Sequence, residues 1–485
     1  MSANSTSRVA IIGAGPAGIA AGYELLQQGF TEFTLFEALD APGGTWHLHS
    51  YPGLACDVWA HSYSFSYAPN PDWSASFVEQ AEIQAYLADC ATRFGLDPHI
   101  RLNTRISRAE YQPPGRWLLH SDAGEQFEFD IVINAMGNQH TPLYPDVPGQ
   151  DSFTGDSWHA TRWNHDVDLR YKRVVVVGSA ASAVQIVPEV AKVAGRLTVL
   201  QRTPNWIMRR RRKFYSERQR RRFKRFPVLI RLTRWLQRTL MGQVHYAATL
   251  GHKRMDQFET MAKNYIDEAI DDPALREVLT PDSHYGCKRG LVSDDFYPAL
   301  MRENVRLVAS GLKEVTPTGL LTEDGEEITA DVIIYCTGYR IMDYDRIAVI
   351  GASGKSLADS MADEPRAFKG IAVPDFPNYF FAVGPNGLVL NVSYFITAER
   401  NVKTIVGLLS DMRAAGLSSI EVKDSEFQSY NTWLSPRFPG FSWGAADCNS
   451  YYTNASGHAP FLFPGSFKEY KRLHEASGLH EYSVA

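Results

Sequence analysis

The sequence predicts an α/β fold: two similar parallel-sheet domains, the second carrying a helical insertion. Three observations carry that expectation. Arg8-Val-Ala-Ile-Ile-Gly13-Ala-Gly15-Pro-Ala-Gly18 reads as buried strand, glycine turn and helix. Arg173-Val-Val-Val-Val-Gly178-Ser179-Ala-Ala-Ser182-Ala183 repeats that order. Each is followed by an apolar run ending in small residues, at 130–137 and 330–338, and the two runs echo each other. Such internal likeness points to two related folding units.

Residues 9–12 are uniformly apolar, as a parallel strand covered on both faces must be. A helix is predicted from about 16 to 26 and a strand at 33–36, ending at Glu37. Residues 79–95 look helical, and 117–119 and 127–129 look like β structure. Residues 173–202 form the second β-α-β unit, and 205–285 read as the helical insertion. The Phe-, Pro- and Gly-rich tail is expected to fold back on the first domain. The expected division is therefore 1–150, 151–375 and 376–485.

A chain of 485 residues is long enough for two or three domains. Its 44% hydrophobic and 21% charged residues are ordinary for a globular enzyme. A net charge of −5 gives no general case for nucleic acid. Five cysteines are scattered without a C-x-x-C pair, which argues against a zinc ribbon or a redox dithiol. That usage fits a reducing compartment with no disulfide framework. The N-terminus is short and polar, and no run approaches the ~20 apolar residues of a membrane span. A cytoplasmic protein is expected, without a metal site and without an obligate protein partner.

One segment departs from this balance. Residues 209–225 carry eleven Lys or Arg and one Glu, a local +10 within a whole-chain −5, which leaves −15 on the rest. Leu229, Leu232, Leu236 and Leu240 then follow at helical spacing, with Arg231, Arg234 and Arg238 elsewhere on the wheel. A solvated helical insertion is the preferred reading. Membrane-surface contact through 209–240 is the alternative.

The first glycine turn carries a mechanism. Gly13 makes the tight turn, Gly15 lets backbone approach a pyrophosphate, and Gly18 permits close helix–strand packing. The helix N-terminus then presents N–H groups and a positive dipole end to the phosphates. Glu37 stands 19 residues after Gly18, where a carboxylate accepts ribose hydroxyls. These are the marks of a dinucleotide-binding (Rossmann-like) unit. In the second turn Gly178 is kept, but Ala180 and Ala183 replace the other glycines. Arg202 stands where the first unit has Glu37. Arginine there favours a 2′-phosphate through forked, charge-assisted hydrogen bonds, so NADPH is expected over NADH. Asp57 is either a functional carboxylate or a turn former. His159 is read as structural or gating, and the adjacent Lys288 and Arg289 as an anion site or a solvated loop.

Phe153, Gly155, His159 and Trp163 lie between the two turns in the pattern F-x-G-x-x-x-H-x-x-x-W. With both turns, this resembles the class B flavoprotein monooxygenases, specifically the type I Baeyer–Villiger monooxygenases. Asn164 departs from the Pro or Asp usual after the motif. Gly43-Gly44-Thr45-Trp46, Tyr51-Pro52-Gly53, Lys288-Arg289 and Cys336-Thr337-Gly338-Tyr339 also match, and residues 201–206 look like the 4-hydroxyacetophenone monooxygenase branch. The resemblance implies that Gly13, Gly15, Gly18, Glu37, Gly44, Thr45, Trp46, Asp57, Tyr63 and Ile106 hold FAD. It implies that Gly178, Ser179, Ser182, Ala183, Arg202, Thr203 and Lys288 hold NADPH. Arg289 would be the active-site arginine, with Asp57 as partner. The implied reaction passes a hydride from NADPH to FAD. A C4a-peroxyflavin made with O2 then inserts oxygen beside a small-molecule ketone carbonyl. Oxygenation of nitrogen or sulfur, as in flavin-containing monooxygenases, is the alternative.

Overall fold

The computed structural model describes residues 7–341, 343–448, 450, 452–454 and 459–485. Two five-stranded parallel sheets organise them. The first runs Tyr379–Phe381, Ile131–Asn134, Val9–Ile12, Phe33–Phe36, Ile100–Arg101. The second runs Val305–Val308, Arg196–Leu200, Arg173–Val177, Val332–Tyr335, Asp156–His159. Uniformly apolar strands sit at the centre because helices or loops cover both faces, and Val9 to Ile12 are all buried.

The echo of 130–137 in 330–338 has a packing cause. Gly13 and Gly178 adopt φ of +106° and +108°, a region side chains avoid. A Cβ on Gly13 would lie 2.6 Å from the Ala135 carbonyl oxygen, and one on Gly178 2.6 Å from that of Cys336. Each echo strand lies beside its glycine-turn strand, and its terminal turn fills the space under the glycine.

The helical insertion comprises Glu217–Arg225, Pro227–Ala247, Lys253–Ala269 and Pro273–Leu279. Its two ends are stitched side by side, because Ile207–Met208 pairs with Leu291–Val292. The chain comes back to the first sheet region earlier than 376: Ala348–Ile350 already pairs with Ile106–Gln112. Tyr379–Phe381 then joins the first sheet, and the helix Tyr394–Ala414 packs on the helix Pro16–Gln27. Among the described residues, no helix is long and apolar enough to cross a membrane.

The expectation of no disulfide is corrected. Cys287 and Cys448 are joined, with Cα atoms 5.5 Å apart. They are 161 residues apart in sequence, so no local spacing signals the pair. Cys56, Cys90 and Cys336 are free and buried.

Candidate active site

A cavity of about 1690 Å³ opens between the two sheets and is lined by both glycine turns. A pocket for one small ligand is typically about 300–1,000 Å³, so this space suits more than one occupant. On its first wall, Gly15 and Gly44 bring two backbones together. A Cβ on Gly44 would sit 2.9 Å from Gly15 Cα, so Gly44 leaves no room for a side chain at the crossing, whereas one on Gly15 would meet Gly44 Cα only at 3.5 Å. The helix Pro16–Gln27 starts there with Pro at its first turn and no capping side chain. Its N-terminal N–H groups are therefore not taken by a cap.

Glu37 is buried at the end of its strand, and its carboxylate accepts from Ala14 N at 2.8 Å and Leu39 N at 3.0 Å. These bonds fix the carboxylate against the turn and leave lone pairs for further donors. Trp46 Nε1 donates to Tyr63 Oη at 3.1 Å, and the rings meet edge to face. Burial holds the Tyr63 phenol protonated, well above its ordinary range. Ile106 is buried and also lines the cavity.

On the second wall, Ser179 Oγ donates to the Thr203 carbonyl at 3.4 Å, and Ser182 and Tyr339 hydroxyls share a 3.4 Å contact. Ala183 starts the following helix and is buried. Ala180 is exposed toward the cavity, so its methyl group stands where the first turn has none. Lys288 Nζ donates to Thr203 Oγ1 at 2.6 Å. Burial pushes the Lys288 ammonium below the usual lysine value, Asp282 offsets this, and the nearby Arg202 charge adds to it. Arg202, Thr203 and Lys288 therefore converge on one cationic corner of the cavity.

Between the walls, Arg289 Nε donates to one Asp57 oxygen at 2.8 Å and Nη2 to the other at 2.9 Å. Such a forked pair fixes the guanidinium plane as well as its position. Both side chains are partly exposed to the cavity, at 36% and 27%. The two halves also touch directly. Tyr51 Oη donates to Gln185 Oε1 at 3.1 Å, and Gln185 Nε2 donates to the Ala55 carbonyl at 2.8 Å. The loop bearing Asp57 is thus pinned to the second half's helix Ala183–Val190.

Phe153, Gly155, His159 and Trp163 do not line this cavity. They bracket the edge strand Asp156–His159: Phe153 and Gly155 precede it, His159 ends it, and Trp163 follows the turn Ala160–Arg162. Gly155 is required by packing, since a Cβ would meet the Asp331 carbonyl oxygen at 2.4 Å. His159 Nδ1 accepts from Thr161 N at 3.2 Å, capping the turn Ala160–Arg162. Burial depresses His159 to about 4, so it is neutral at physiological pH. Trp163 meets Trp158 edge to face.

Sequence reasoning missed His49, His140 and Arg346, which also line the cavity. Burial depresses the two histidines to about 4 and about 3, and Arg346 to about 10. All three are isolated in sequence and gathered only by the fold, so no spacing could flag them. Among the described residues no cluster of His, Cys, Asp or Glu could hold a metal.

Residues 6–347 match the flavin-binding monooxygenase-like family. A Baeyer–Villiger monooxygenase of Streptomyces coelicolor is 38% identical over 98% of this chain and 92% of its own. One from Pseudomonas aeruginosa is 37% identical over 98% and 91%. The chain belongs to this family, on its Baeyer–Villiger side. Among solved structures, a steroid monooxygenase bound to NADP is similar with a TM-score of 0.86 and 27% identity, covering 99% of each chain. The monooxygenase OTEMO in complex with FAD and NADP gives 0.87 at 25% identity, again over 99% of each.

Proposed function

We propose that this protein is an FAD-dependent, NADPH-consuming Baeyer–Villiger monooxygenase acting on a small-molecule ketone. In balance, ketone, O2, NADPH and a proton become an ester or lactone, water and NADP+. The observation that carries the reading is the forked Asp57–Arg289 pair, standing on one cavity that two glycine turns share.

The residues fit both cofactors. The Gly15–Gly44 crossing offers backbone where a pyrophosphate needs close approach, and Glu37 is fixed to take ribose hydroxyls. The corner of Arg202, Thr203 and Lys288 suits a 2′-phosphate. When bound, the flavin supplies electron transfer and oxygen activation. Asp57 holds Arg289, whose guanidinium stays protonated and faces the negative charge that builds on the former carbonyl oxygen. The Tyr51–Gln185 contact keeps the Asp57 loop in register with the nicotinamide-side helix. We assign residues 1–150 to FAD, 151 to about 345 to NADPH, and the remainder to the first half again.

The alternative, oxygenation of nitrogen or sulfur, is not favoured, because the similar curated proteins carry the Baeyer–Villiger name. A panel of ketones and sulfides offered to the purified protein with NADPH tests the reading. Ester products identified by mass are expected. Sulfoxides alone, with every ketone returned unchanged, would refute it.

A further inference from the structure

The helix Pro227–Ala247 is inside out. Its inward face carries Arg234 and Gln237, both buried, beside Ile230 and Met241. Arg234 Nη1 donates to the His61 carbonyl at 2.6 Å and Ser64 Oγ at 2.7 Å, and Gln237 accepts from Ser62 Oγ at 3.1 Å. Its outward face carries Val228, Leu232, Trp235, Leu236 and Leu240, which are 63%, 60%, 63%, 51% and 46% exposed. At 100° per residue these five fall in one stripe opposite the buried face, about 18 Å long. An apolar face normally turns to the core, and a contiguous exposed one marks an interaction surface. Helical spacing of the leucines alone gave no hint of this reversal.

The charge around the stripe selects the occupant. Arg231 and Arg238 edge it on the same helix, and the basic helix Glu217–Arg225 leads directly into it. Arg218, Arg222, Arg225 and Arg231 are exposed, and no ion pair holds them among the described residues. A second copy docking through the same patch would bring two such cationic helices together, which costs energy. Apolar side chains including a tryptophan, rimmed by arginine, instead match a bilayer interface with anionic headgroups.

We propose that the face formed by Glu217–Arg225 and Pro227–Ala247 docks on an anionic phospholipid surface. Leu232, Trp235 and Leu236 enter the headgroup boundary, and the arginines pair with phosphates. Each basic residue near such a surface is worth roughly fivefold in partitioning, and salt screens that gain. The test is flotation of the full flavin-loaded chain with vesicles of phosphatidylglycerol and phosphatidylcholine, or of phosphatidylcholine alone. Preferential, salt-sensitive binding to the anionic vesicles is expected. A Leu232→Ser, Trp235→Ser, Leu236→Ser variant should lose on the order of tenfold or more in partitioning while keeping its circular dichroism spectrum. Absence of binding at low salt overturns the proposal. So does unchanged binding by the triple variant, which would reduce the effect to diffuse charge. A wild-type dimer that this variant converts to monomer, without vesicle binding, would assign the stripe to a second copy and overturn it too.

Discussion

Arg289 has two of its donors committed to Asp57, so its plane is set before any substrate arrives. Hydride transfer between stacked rings needs alignment, whereas, in the proposed role of Arg289, oxygen insertion would build negative charge beside this side chain. Removing one preorganised donor of that kind costs about 2.7–4 kcal/mol, or roughly 10²–10³ in rate. Arg289→Ala is therefore expected to keep flavin reduction by NADPH within about an order of magnitude, in stopped flow, while ester formation falls by that larger factor. Near wild-type ester formation would remove Arg289 from the site. Asp57→Ala should show the same defect more weakly, because it only releases the guanidinium. The cationic corner makes a separate claim. Arg202→Ala loses a charge-assisted contact of about 1.5–3 kcal/mol, so the KM for NADPH should rise roughly ten- to hundredfold and that for NADH far less. Lys288 adds a pH dependence whose sign follows from its environment. Burial first, and then Arg202, hold its pKa below the usual lysine value, and Asp282 only partly opposes them. A 2′-phosphate would raise that pKa on binding, so NADPH affinity is full below the free protein's Lys288 pKa and lost as pH rises through it. A flat KM for NADPH across the alkaline range would refute the contact.

The two strand-turn-helix units make one structural device twice, and their glycines allow the assignments to be separated. Gly13→Ala would force a methyl within 2.6 Å of the Ala135 carbonyl at φ +106°, a backbone region costing about 1–3 kcal/mol for a side chain. Gly178→Ala meets the Cys336 carbonyl in the same way. Soluble Gly13→Ala protein is expected to lose its FAD, seen as a colourless preparation. Gly178→Ala should stay yellow and fail to be reduced by NADPH. The reverse pattern would exchange the two cofactor sites. These units were legible in the sequence because the reasons for them are local. Within each unit the apolar run, the turn glycines and the residue that closes it, Glu37 or Arg202, lie within about thirty residues of one another. The edge strand around His159 was readable only as a linker, since its partner Val332–Tyr335 lies more than 170 residues downstream. The inverted helix Pro227–Ala247 was legible in period but not in direction. Periodicity says that a helix has an apolar face, and only the packing of Arg234 into the 61–65 turn says which way that face points. His49, His140 and Arg346 reach the cavity singly from three separate segments, so they left no pattern at all.

Across the whole molecule, the C-terminal part of the chain is tied back to the loop that carries Lys288 and Arg289. Cys448 is bonded to Cys287, which immediately precedes Lys288 and Arg289. Hydrogen bonds also tie it there: Ser442 Oγ donates to the Tyr285 carbonyl at 2.8 Å, and Ser442 N, donating to the Ala248 carbonyl at 2.9 Å, anchors Ser442 to the end of the helix Pro227–Ala247. The two kinds of tie act on different states. A cross-link closing so long a segment restricts mainly the unfolded chain and is worth about 2–4 kcal/mol. The hydrogen bonds act on the folded loop at about 1 kcal/mol each and remain when the cross-link is cut. Cys448→Ser should therefore unfold at lower temperature than the oxidised parent, and reductant should lower the parent's transition but not the variant's. In the folded variant Tyr285 and Ser442 still hold the loop, so the KM for NADPH should move by less than about tenfold, an equivalent of roughly 1.4 kcal/mol. Identical melting of parent and variant in oxidant would show that the bond does not form in solution. A much larger rise in KM, in a variant that melts lower but is still folded at the assay temperature, would mean that the cross-link itself positions Lys288 and Arg289, and that the hydrogen bonds alone do not suffice.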